Sequence, residues 1–78
     1  MQAILDDIPE PRRVDEIVAM LRRLPRGEML SLTCADDPTE LADRVLASAG
    51  GGYDRQAVHA ARKKAAPWLL HLKRQSRP

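Results

Sequence analysis

Phenylalanine is absent from this sequence, and one tryptophan and one tyrosine are its only aromatics. A platform for stacking single-stranded bases, which needs several aromatics set among positive charge, is therefore missing. Cysteine occurs once, at Cys34, so no internal disulfide can form. One thiol and two histidines, His59 and His71, are too few for a metal cage without ligands from a second chain, so no metal and no cofactor are expected and both histidines read as solvated. No apolar run approaches the roughly 18 residues of a membrane-spanning helix. Three of the four glycines form Gly50-Gly51-Gly52, which follows a helical stretch, whereas phosphate-binding loops precede one. No serine lies in an elbow-like context, so a nucleophilic triad is not in view.

What remains is short and charged. Seventy-eight residues hold one hydrophobic core and no more. The expectation is a single domain over residues 1–75, with 76–78 as a disordered tail. The opening Met-Gln-Ala-Ile-Leu-Asp-Asp lacks the basic, apolar, small-residue order of an export signal, so a cytoplasmic, membrane-free protein is expected. The net charge of +2 conceals an asymmetry, because Arg62, Lys63, Lys64, Lys73, Arg74 and Arg77 follow the last acid, Asp54. They would make either a patch for phosphates or for an acidic partner, or a solvated rim and tail.

Periodicity places the elements. Ala3-Ile4-Leu5, closed by Asp6-Asp7, has room only for a brief strand or extended arm. Ile8-Pro9-Glu10-Pro11 forces extended or turn geometry, so a helix begins only after it. From Arg13, the residues Val14, Ile17, Val18, Leu21 and Leu24 recur at helical steps, and Leu24-Pro25-Arg26-Gly27 ends the helix. Residues 28–34 alternate, with Leu30, Leu32 and Cys34 on one face, as a half-buried strand does. Asp37-Pro38-Thr39-Glu40 supplies an N-cap, a proline at the first helical position and a glutamate three after the cap, a variant of the capping box. Leu41, Ala42, Val45, Leu46 and Ala49 form that helix's apolar face. Residues 54–65 favour helix on propensity alone, but Trp68, Leu70 and Leu72 alternate as a strand that needs a partner. A hairpin of Tyr53–Ala60 with this strand, turning through residues 62–66, competes with a third helix. On an open sheet face, Trp68 would also anchor a partner.

In order and spacing, Leu5-Asp6, Pro9-Glu10-Pro11, Pro25-Arg26-Gly27-Glu28-Met29-Leu30, Ala35-Asp36-Asp37-Pro38 and Trp68 to Arg74 resemble the TusA/SirA-like sulfur-carrier family along nearly the whole chain. That resemblance implies an α+β two-layer sandwich, two helices on a four-stranded mixed sheet in the order β-α-β-α-β-β, and favours the hairpin. In the family, a Cys-Pro-x-Pro motif opens the first helix and its cysteine carries sulfur as a persulfide. A thiol at a helix N-terminus faces unpaired N–H groups that stabilise the thiolate. Pro9, Glu10 and Pro11 match that motif, but the cysteine's place is taken by Ile8. Related domains that keep the prolines without the cysteine are mostly of unknown function.

Three readings follow. The first is a non-catalytic adaptor that docks another protein through Ile8, Pro9, Glu10 and Pro11. The second is a sulfur-transfer protein using Cys34, set against the plainer role of a small core residue on the face of Leu30 and Leu32. The third is a nucleic-acid-binding module using the basic C-terminal stretch. Asp37 is accounted for as a cap, with Asp36 solvated beside it. A monomer or a weak dimer through an exposed strand edge is expected.

Overall fold

Pro9 and Pro11 decide where the first helix can start. In the computed structural model, which describes residues 1–59 and 67–75, Ile8 is held extended at φ −99° and ψ 126° before Pro9, as a residue preceding proline must be. A single 3₁₀ turn over Glu10–Arg12 follows and leads directly into α1, Arg13–Arg23. Ile17, Val18 and Leu21 are buried along α1, as is Leu24 just beyond it. Asp15 and Glu16 near its start and Arg22 and Arg23 near its end complement the helix dipole. Leu24 returns to extended backbone before Pro25. Pro25 then accepts a hydrogen bond from the Glu28 N–H at 3.1 Å, with Gly27 at φ 83° in the position that a type II turn reserves for glycine.

The sheet has four strands: β1, Gln2–Ile4; β2, Met29–Cys34; β3, Tyr53–His59; and β4, Trp68–Arg74. Their spatial order is β1-β2-β4-β3, with β1 parallel to β2 and the other pairs antiparallel, so the sheet is mixed. The second helix, α2, spans Thr39–Ala49 and ends at Gly50, whose φ of 85° suits glycine. The expected α+β order of β-α-β-α-β-β is present, and the described part of 54–65 is strand, not helix. The competing third helix is excluded over Tyr53–His59. The turn expected at 62–66 and the tail expected at 76–78 lie outside the described residues.

Alternation then fixes the faces. Leu30, Leu32 and Cys34 of β2 and Leu70 and Leu72 of β4 point to the helices, where they meet Ile17, Leu21, Ala42 and Val45 in one core. Leu5, just beyond β1 in a 3₁₀ turn, joins them. No polar or charged residue is buried among the described residues. Trp68 lies on this covered side with Leu70 and Leu72, opposite Cys34 in register, and packs partly buried against the core. It is thus a packing residue and does not stand on the open face as an anchor. The other face of the sheet carries Gln2, Ile4, Met29, Ser31, Thr33, Leu69, His71 and Lys73, and no described element lies over it.

Candidate functional site

Because β1 and β2 are parallel, the chain leaves both at the same end of the sheet, and α1 and α2 both begin there. Their first turns enclose a cleft of about 360 Å³. Leu5, Val14, Pro38 and Leu41 supply its apolar part, and Asp6, Glu10, Asp36, Asp37 and Glu40 its carboxylates, with Arg13 and Arg44 between them. Of the turn that the sequence singled out, Glu10 alone lines this cleft, while Ile8, Pro9 and Pro11 lie outside its lining. Ile8 is half-buried against the core, and Pro9, Glu10 and Pro11 are exposed. The Arg13 Nε donates to the Ile8 carbonyl at 3.0 Å, and the Ile8 N–H donates to Leu5 at 3.0 Å, which ties both sides of the turn to neighbouring elements.

Cys34 borders the same cleft from below but is only 1% exposed. Its Sγ lies 4.0 Å from the Leu32 carbonyl oxygen, a distance that makes a weak contact at best. Burial pushes the thiol up from 9.0 to about 11; Asp6 adds to the rise and Arg13 opposes it. The two charged neighbours therefore work against one another, and desolvation decides the outcome. A sulfur-carrying thiol needs the reverse environment, exposed and electropositive.

On the opposite wall, Asp37 accepts both the Thr39 N–H at 2.9 Å and the Thr39 hydroxyl at 2.6 Å. These two bonds lower its pKa. The Pro38 carbonyl takes the first helical bond, from Ala42 at 2.8 Å. The expected capping box is not made: Pro38, not Asp37, is the N-cap and Thr39 the first helical residue, so Asp37 grips Thr39 from just outside the helix, and Glu40 turns to Arg44 one turn along, at 2.8 Å, instead of reaching back. Asp37→Ala is expected to lower the melting temperature at pH 7 by fraying the first turn of α2. Since the Asp37 pKa is depressed, its contribution is complete above the unfolded value of 3.8 and fades as pH falls through the lower folded value. Melting curves of wild type and variant should thus converge in strong acid.

Only two of the six late bases, Lys73 and Arg74, fall among the described residues. Lys73 and Arg74 end β4 at the far end of the sheet from the cleft, while Arg62, Lys63, Lys64 and Arg77 lie outside the described residues. Arg74 is committed to structure. Its guanidinium donates to the Leu24 carbonyl at 2.6 Å, and its backbone exchanges bonds with Gly27 and Glu28. The histidines are not cross-strand partners, since His71 is opposite Ala57 and His59 opposite Leu69. No metal-binding cluster occurs among the described residues, and no described helix is long and apolar enough to cross a membrane.

Sequence reasoning found the proline turn and Cys34 but not their neighbours Asp6, Arg13, Leu41 and Arg44. Nothing in the spacing relates α1 to α2, and only the parallel β1–β2 pairing brings their starts together. No family model, no curated protein and no solved structure matches the chain.

Proposed function

We propose that this chain is a TusA/SirA-like binding domain that docks a partner protein at the α1 start, through Ile8, Pro9, Glu10 and Pro11, without itself carrying sulfur. The observation that carries the reading is that the turn is kept while the place of its thiol is filled by Ile8, packed against the core. Pro9, Glu10 and Pro11 stay exposed beside it, where a partner can reach them.

Sulfur transfer through Cys34 is the weaker alternative. In that reaction a thiolate attacks the outer sulfur of a donor persulfide, and the donor leaves as its own thiolate. Cys34 is screened from a donor and held protonated, so it meets neither need. The nucleic-acid reading loses Arg74 to the Leu24 carbonyl.

Mass spectrometry after incubation with a small-molecule persulfide donor tests the proposal. Wild type should stay unmodified, and Ile8→Cys should gain sulfur at residue 8. Sulfur on wild-type Cys34 that disappears in Cys34→Ser would make the protein a carrier and end the adaptor reading. An inert Ile8→Cys that is folded by circular dichroism would remove the basis for the resemblance.

A further inference from the structure

The open sheet face gathers exposed aliphatic surface that the monomer leaves uncovered. Among the described residues, Ile4, Met29 and Leu69 are 52%, 38% and 37% exposed, and all three point to this face. They sit on three neighbouring strands, β1, β2 and β4. Between Ile4 and Leu69 lies a hollow of about 540 Å³, where Gln2, Ala3, Ser31, Thr33 and His71 complete the lining. The floor is low because Ser31 and Thr33 are short, and Ser31 is held by a 2.9 Å hydrogen bond with His71 Nδ1. One patch therefore offers both apolar projections and a recess to receive them.

We propose that this face is an interface between two copies of the chain, stacked sheet on sheet about a twofold axis, with Ile4 and Leu69 of each copy seated in the hollow of the other. A twofold contact requires a self-complementary surface. The hollow carries no carboxylate, lysine or arginine. The formal charges at its margin, Lys73 and Asp54, are opposite in sign and paired in register, so no block of like charge meets itself. Among the described side chains, this balanced pair is what the face offers a partner selected by charge.

The area is small. Strands of three, six, seven and seven residues, at about 3.3 Å per residue and about 4.8 Å spacing, make a face of roughly 360 Å², under half of the roughly 800 Å² per partner in a standard stable interface. A contact of this size makes a weak, reversible dimer that forms only at high chain concentration. The contact is independent of the α1 site, which lies on the helical side and stays open in the dimer.

Sedimentation equilibrium up to about 1 mM chain reads the association directly. The mass-average weight should rise above the 8.7 kDa monomer with concentration. Leu69→Lys and Met29→Glu, each verified as folded by circular dichroism, should both remain monomeric, and Ala19→Glu on the outer face of α1 should associate as wild type does. A wild type that is monomeric throughout overturns the proposal. So does association that survives Leu69→Lys and Met29→Glu but fails in Ile4→Lys, because that pattern belongs to edge-to-edge pairing of β1.

Discussion

Cys34 is expected to react with iodoacetamide at pH 7 at least tenfold more slowly in the folded chain than in the same chain unfolded in urea. With the thiol raised from 9.0 to about 11, thiolate is about 100-fold scarcer at neutral pH. The greater nucleophilicity of a more basic thiolate returns up to about tenfold of that. A side chain only 1% exposed then adds a steric barrier to the remainder. Equal rates in the two states would mean that Cys34 is accessible, and would restore it as a candidate carrier. The same shift predicts an effect on stability with a definite sign. The folded protein prefers the neutral thiol, so the contribution is complete below the unfolded value of 9.0 and is lost as pH rises through about 11. The loss should be on the order of 2–3 kcal/mol, and it should be missing from Cys34→Ala, whose own alkaline titration curve serves as the baseline.

Leu32→Ala should come close to unfolding the domain. Leu32 is fully buried in β2, between Ala3 of β1 and Leu70 of β4, so its removal opens a cavity that both neighbouring strands line. Such a truncation costs about 2–5 kcal/mol. A domain of this size has only about 4–12 kcal/mol in total. Urea titration followed by far-ultraviolet circular dichroism should place the variant's midpoint far below that of wild type. Leu69→Ala, on the neighbouring strand but facing outward and 37% exposed, should shift the midpoint much less. Comparable losses from the two would contradict the assignment of faces.

Where one residue type decides the backbone, the fold could be read along the chain. Proline at 9, 11, 25 and 38 bounded both helices, and alternation in Leu30, Leu32 and Cys34 placed β2 with the correct face inward. The β3–β4 hairpin was harder, because the composition of 54–65 favours helix while β4 demands a partner; pairing outweighed propensity over Tyr53–His59. The register shift between Arg55 and Ala57 left no sign in the sequence, since a bulge is set by how two strands match and not by either alone. The candidate site was legible in part for the same reason. Ile8 to Pro11 are adjacent and show themselves, whereas Arg13 reaching back to Ile8, or Arg44 drawing Glu40 away from the cap, depends on where side chains fall in space.

The position of β4 between β2 and β3 has a consequence for synthesis. The strand that joins both halves of the sheet is the last of the four to be made. Until residue 74 has left the ribosome, β2 has a partner on one side only and β3 has none, and Leu30 and Leu32 lack the neighbours that cover them. A nascent chain halted before Trp68 would expose two strand edges and an unfinished core, a state open to chaperones and to aggregation. Folding of this domain therefore waits on the emergence of β4.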